Sequence, residues 1–285
     1  MIGVALIAFD RPDYVRRLLA SLEQQTDLDG VAFHCFQDGA VNAYSGREAG
    51  DPDGIEEVRA LWGKAKLPGK GIAQWRIQNA SIGIHQFEAL EWMCERYAQV
   101  VMLEDDVVLS PHWLRLAKVV YGQMVQWPDV FSFSLGFKRH CKRGQTNANL
   151  DKLMIAHTHW WAECMTAANW GKARQYFLPY YQLIKGRDYR DRDHDAIRAL
   201  YASVGWERPY TTQDCAKEMA AWRAGMMRVV AVVNRAIGIG QWGEHFRPEW
   251  FHRLGLDEQA PYTFDGDAML EGFELDREVK CESPC

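Results

Sequence analysis

The first hundred residues alternate short strand signals with amphipathic helix signals, and that order leaves few folds open. Residues 3–9 form a continuous apolar run closed by Asp10-Arg11-Pro12, the pattern of a strand buried on both faces. From about Pro12 a helix is expected, because Val15, Leu18, Leu19 and Leu22 recur at i, i+3, i+4 and i+7. A second strand is expected over 31–36, ended by Gln37-Asp38-Gly39. A polar, Gly-rich loop over 41–54 then leads to a helix bearing Ile55, Val58, Leu61 and Trp62. The third strand is read at 75–78, followed by a helix with Ile84, Phe87, Leu90, Met93 or Cys94, and Tyr97. The fourth, Val100-Val101-Met102-Leu103, runs straight into Glu104-Asp105-Asp106. This predicts an α/β fold with a mostly parallel sheet covered by helices on both faces. Ligands of such sheets bind beyond the carboxyl ends of the strands. Asp10, Asp38, Asn79 and the acidic triplet therefore share one rim.

Beyond the triplet the pattern loosens. Ser110-Pro111 reads as an N-cap followed by Pro at the first helical position, with the helix reaching about residue 126. Strands are expected over 130–135, 153–158 and 226–233, and helices over 167–177, 193–203 and 213–224. A basic loop spans 139–149, and Gly238-Ile239-Gly240-Gln241-Trp242-Gly243 is Gly-rich. The simplest division is a nucleotide-binding half over 1–108, an acceptor and catalytic half over 109–255, and a C-terminal tail over 256–285.

Composition narrows the function classes. With 33 basic against 38 acidic residues and a net charge of −5, the chain lacks the basic surplus of a nucleic-acid binder. The apolar start is too short for a membrane span, and no later run of apolar residues reaches that length. Seven Cys, odd in number and without a CxxC unit, point to a reducing, cytoplasmic setting and a reduced Cys281/Cys285 end. A truncated Golgi-type domain is the other setting such a sequence allows. The 12 Trp exceed what a core of this size needs, which reserves some of them for carbohydrate faces.

Three consecutive carboxylates after a buried strand raise one another's pKa unless a cation compensates them, and a divalent, oxygen-seeking ion does so. Strand alternation sends Glu104 and Asp106 to one side and Asp105 to the other. The segment Val101-Met102-Leu103-Glu104-Asp105-Asp106-Val107-Val108-Leu109-Ser110-Pro111 resembles the metal-binding segment of GT-A glycosyltransferases. More narrowly, it resembles that of the alpha-1,3-mannosyl-glycoprotein N-acetylglucosaminyltransferase I group, family 13. Ala8-Phe9-Asp10-Arg11 is similar to that family's strand end at the nucleotide diphosphate, and Gln37-Asp38 to its uracil contact. Gln213-Asp214 stands where the family carries its catalytic aspartate. The family's nucleotide-contacting His after the third strand is not evident, and Asn79 occupies that region.

The resemblance implies an inverting transferase that moves GlcNAc or a related hexose from a UDP-sugar to a hydroxyl of a glycan or other acceptor, dependent on Mn2+ or Mg2+. Asp106 is then the metal ligand, with His245 a possible second. Ala8, Asp10, Arg11, Asp38, Asn79, Glu104, Asp105, Trp161 and Glu163 bind the donor, with Trp160 beside them. Asp214 is the base, with Glu218 one turn on as the fallback. Two other classes compete: a nucleotidyltransferase of related fold, and a non-catalytic sugar-nucleotide-binding module. The first is disfavoured because no basic Gly-rich phosphate loop follows strand one. The second is disfavoured because a scaffold gains nothing from carboxylates massed at a sheet rim.

Overall fold

A computed structural model describes residues 1–136, 146–156, 162–242, 247–253, 255–257 and 261–281. Four parallel strands open the chain: β1 (Ile2–Ala8), β2 (Val31–Gln37), β3 (Lys70–Trp75) and β4 (Gln99–Glu104). They are joined by helices α1 (Pro12–Glu23), α2 (Pro52–Lys64) and α3 (Ile82–Cys94). There follow β5 (Val107–Leu109), α4 (Trp113–Gln123), β6 (Val130–Ser134), β7 (Lys152–Ala156) and β8 (Glu163–Thr166). Next come α5 (Ala167–Ile184), α6 (His194–Ser203), α7 (Gln213–Arg223), β9 (Met227–Ala231), β10 (Ala236–Gly238), α8 (Pro248–Arg253) and β11 (Glu274–Cys281). Nine of the strands form one sheet in the order β11-β7-β9-β6-β8-β4-β1-β2-β3, and β5 pairs with β10 apart from it.

The period-2 alternation of β1 sorts the core into two layers. Ile2, Val4, Leu6 and Ala8 pack with Leu18, Leu22, Val58 and Trp113 on one face of the sheet. Ala5 and Ile7 pack with Phe87, Met93, Trp170, Phe177 and Tyr180 on the other. Helices thus cover both faces, as the alternating pattern predicts. Among the described residues no helix is long and apolar enough to cross a membrane.

Several expectations need correction. The third strand lies at Lys70–Trp75, ahead of 75–78, because it is the sheet edge and four of its six residues face solvent, so no apolar run marks it. Ser110 is not the cap of α4: the chain turns at 111–112, and the helix starts at Trp113 after His112. Helix α5 runs through Pro179 to Ile184. The apolar face of Tyr180, Tyr181 and Ile184 against the sheet outweighs the roughly 3 kcal/mol a helix-interior proline costs. Strands β5, β8 and β10 carry no sequence signal, since three or four residues cannot display a period. Finally, 256–281 does not behave as a tail. β11 pairs with β7, and Asp267 accepts from the Nη2 and Nε of buried Arg235 at 2.7 and 3.1 Å. The basic loop lies mostly outside the described residues.

Candidate active site

Because β1, β2 and β4 are parallel, Ala8, Gln37 and Glu104 end on one rim. Antiparallel β8 begins where β4 ends, with Glu163 in register with Met102, so Glu163 arrives at the same rim from the other direction. Opposite stands the first turn of α7 with Asp214. Its helix is capped by Thr212, whose Oγ1 accepts from the Cys215 amide at 3.3 Å, so Asp214 is not spent on capping.

β4 ends at Glu104, and the chain turns through Asp105 and Asp106. Strand alternation therefore stops one residue early: Asp105 and Asp106 both reach Arg11, while Glu104 turns toward α3. Asp105 forms an ion pair with Arg11 Nη2 and accepts from the Phe9 amide at 3.2 Å. Asp106 Oδ2 lies 3.1 Å from Arg11 Nη1. The cation the triplet needs is thus supplied in part by the chain itself. Burial opposes the charge of Arg11, yet the carboxylates beside it raise its pKa. Asp106 Oδ1, by contrast, is buried and makes no hydrogen bond. Burial raises the Asp106 carboxyl above its usual range, and Arg11 pulls it back only in part.

The β5–β10 pair folds the Gly-rich segment over this cluster. The Ile239 amide donates to Asp106 O at 2.7 Å, and Arg11 Nη1 donates to Trp242 O at 3.1 Å. Tyr14, under the Arg11 guanidinium, accepts from the amides of Gln241 and Trp242 at 3.0 and 3.3 Å. Gly240 permits the approach, since a Cβ there would lie 2.1 Å from Asp106 Oδ2.

Asp38 is buried, and its Oδ1 accepts from Gly39 and Ala80 amides at 3.1 and 2.8 Å. Burial raises its carboxyl above the usual range. A Cβ at Gly39 would meet the Gln78 carbonyl carbon at 2.5 Å, so this turn also requires glycine. Asn79 Oδ1 accepts from Asn42 Nδ2 and the Ser81 amide, which fixes the loop on either side of it. Ser81 carries a strained φ of 74° there. Asp10 accepts from the Asp51 amide at 2.9 Å, anchoring the start of α2, and burial raises its pKa. Below this turn, buried His85 accepts at Nδ1 from Arg76 and donates from Nε2 to Phe36 O. Burial lowers its pKa, which keeps it neutral. It lies six residues past Asn79 inside α3, where an isolated His among apolar residues gives no signal.

On the far side, Glu104 accepts from Gln86 Nε2 at 3.0 Å. Burial, then the charges of Asp106 and Asp214, raise its pKa well above the carboxylate range. Glu163 is occupied within the protein: Oε1 accepts from Ser132 Oγ and Arg228 Nη2, and Oε2 from Lys217 Nζ at 3.0 Å. The same ammonium lies 3.3 Å from Asp214 Oδ1. Burial lowers the pKa of Lys217, but Glu163 and Asp214 outweigh that and raise it overall. Glu218 is buried against Arg208 at 3.5 Å, and burial raises its carboxyl. A cavity of about 20 Å³, room for about one water, lies between β4 and helices α3, α5 and α7. Gln86 and Gln213 line it, each with a buried amide oxygen that has no partner. Lys217, Gln86 and Tyr14 carry no signal in the sequence, because each is a common residue type on a helix face. Trp160, Trp161 and His245 lie outside the described residues. Among the described residues no group of three or more His, Cys, Asp and Glu side chains is arranged to hold a metal ion.

No family model matches the chain, and no curated protein matches it in sequence. Solved structures do match. S. aureus TarS 1–349 in complex with UDP-GlcNAc aligns with a TM-score of 0.50 at 11% identity, over 86% of this chain and 60% of that one. A second structure of S. aureus TarS 1–349 aligns with a TM-score of 0.47 at 10% identity, over 84% of this chain and 60% of that one. The chain thus spans about three fifths of the TarS fragment it matches. At this identity the likeness is one of architecture: the chain shares the Rossmann-like, mixed α/β fold of the TarS structure.

Proposed function

We propose that the chain is a glycosyltransferase that moves a sugar, GlcNAc or a related hexose, from a UDP-sugar to an acceptor hydroxyl with inversion and with a divalent cation. The observation that carries this reading is the rim itself, where Arg11 pairs with Asp105 and Asp106 at the carboxyl ends of a parallel sheet, Asp38 follows the end of β2, and Asp214 lies in the first turn of α7. The glycosyltransferase fold supports it, as does the match to a TarS structure in complex with UDP-GlcNAc.

Asp38 uses Oδ1 for its own turn, which reserves Oδ2 to accept from a uracil N3–H. Arg11 presents a planar, delocalised charge to the diphosphate. Asp106 fits a cation, since its Oδ1 is an orphaned buried carboxylate oxygen. One protein carboxylate completed by phosphate oxygens and water is an ordinary Mg2+ or Mn2+ arrangement. When bound, such an ion stabilises the charge of the departing diphosphate. Asp214 takes the proton of the acceptor hydroxyl as its oxygen bonds to the sugar's anomeric carbon. The bond to UDP breaks on the opposite face, and its electron pair leaves with the diphosphate. Glu104, Asp10 and Asn79 shape the walls around the donor, Glu104 with Gln86 and the others through their loops.

A panel of UDP-, GDP- and CMP-sugars, assayed for Mn2+-dependent binding and slow hydrolysis, tests the reading. Selective binding of UDP-sugars with turnover is expected. Binding without turnover across acceptors indicates a sugar-nucleotide-binding module, and binding of none of them overturns the proposal.

A further inference from the structure

The buried charges behind Asp214 form a line that the proposed chemistry has not yet used. Arg228 on β9 donates to Glu163 Oε1 at 2.8 Å, and Lys217 on α7 donates to Glu163 Oε2 at 3.0 Å. Lys217 Nζ then lies 3.3 Å from Asp214 Oδ1, an ion pair without a hydrogen bond, since that oxygen is buried and accepts none. The side chains of Arg228 and Glu163 are 2% and 1% exposed, and that of Lys217 is 11%. Asp214, at 15%, is the most exposed of the four. Charges this deep are retained only when paired, because each costs several kcal/mol to desolvate.

We infer that Lys217 and Glu163 are positioning residues for Asp214: Lys217 holds the carboxylate from the side of its Oδ1, and Glu163 holds Lys217 and offsets part of its charge. The inference rests on the reading of Asp214 as the base. A carboxylate facing an unshared buried ammonium is held in place but accepts a proton poorly. A carboxylate with no ammonium keeps its proton affinity but is free to rotate, and faces the charge of Glu163. The observed arrangement sits between the two. Glu163 offsets part of the charge that Lys217 and Arg228 bring to it, and Asp214 Oδ2 accepts only a long 3.4 Å contact from Gln213 among the described residues. Among the described residues, the other titratable groups that act on Asp214 are Glu104 from β4, Tyr180 from α5 and Tyr201 from α6. Cys215 and Glu218 act on it from its own helix.

The two partners therefore predict opposite effects. In full-length protein labelled with 13C at aspartate carboxyls, the Asp214 signal is identified by its loss in Asp214→Asn. Its titration midpoint should move up by about 1 pH in Lys217→Met and down by a similar amount in Glu163→Gln. Lys217→Arg should restore the wild-type midpoint to within a few tenths. Lys217→Met should also lower kcat about tenfold with the donor KM unchanged. An unmoved midpoint in a folded Lys217→Met, or movement in the same direction in both variants, overturns the inference. If Lys217→Met does not fold, Glu163→Gln decides alone, since an unmoved or raised midpoint there is equally fatal. The titrations require no substrate. Full turnover in Asp214→Asn would remove the base reading and leave the electrostatic coupling standing, which separates the two failures.

Discussion

Two ionic clusters stand on the same sheet rim and are made of the same kinds of group, yet they differ in access to water. In the first, Arg11 joins Asp105 and Asp106, and the arginine side chain keeps 28% of its exposure. In the second, Glu163 joins Lys217 and Arg228, and no side chain exceeds 11%. An ion pair with a wet edge exchanges partners at little cost, because incoming phosphate or metal replaces what is lost. A sealed pair does not, since breaking it strands a charge in a medium of low polarity. The first cluster is suited to a ligand and the second to holding other groups still.

The largest expected effect tests the sealed cluster. Glu163→Ala leaves Lys217 and Arg228 without their shared carboxylate and should cost about 3–5 kcal/mol, read from the urea midpoint. A loss below about 1 kcal/mol would erase the contrast between the clusters. Next, Asp106→Ala should weaken Mn2+-dependent UDP-sugar binding by about 100-fold, near 2.7 kcal/mol, with little change in melting temperature. Wild-type affinity there would move the cation elsewhere. Arg11→Lys keeps the charge but not the planar fork, so calorimetry should show UDP-sugar binding about tenfold weaker. Undiminished binding would mean that Arg11 serves only Asp105 and Asp106.

The smallest effect concerns His85, which sharpens the comparison by adding a sealed group that is neutral. Burial holds its pKa below 6.5, so the unfolded chain takes up the proton more readily than the fold. Its contribution is fully present above pH 6.5 and is lost as pH falls through the lowered native value. Thermal melts from pH 7.5 to 5 should therefore fall less steeply for His85→Gln than for wild type. The difference should be about 1 kcal/mol or less. Parallel curves would show that His85 is not the group that titrates.

How far the sequence was legible follows the same division. The first four strands were readable as a set because β1, β2 and β4 are buried on both faces, and such strands announce themselves as apolar runs. β3 shows the limit: at an edge its Ile72 and Trp75 face solvent, and its position was misjudged by several residues. The acidic triplet was found because three adjacent carboxylates after an apolar strand are conspicuous. Asp214 was found only by its place in a motif. Glu163, expected to face a donor, turned out to hold Lys217 and Arg228, since nothing local to Ala162-Glu163-Cys164 reveals an antiparallel β8 inserted between β4 and β6. The tryptophans divide in the same manner. Trp62, Trp113 and Trp170 are core, whereas Trp222, Trp242 and Trp250 are exposed beyond 40%.

The sequence by itself determined the parallel β1–β4 scaffold, its two apolar layers and the acidity of its rim, because periodicity and burial are properties of neighbouring residues. Only the tertiary structure decided which carboxylate faces which cation. Arg11 lies 94 residues from Asp105, and Lys217 lies 54 from Glu163. Charge pairing is set by distance in space and by exclusion of water, and neither is encoded in spacing along the chain.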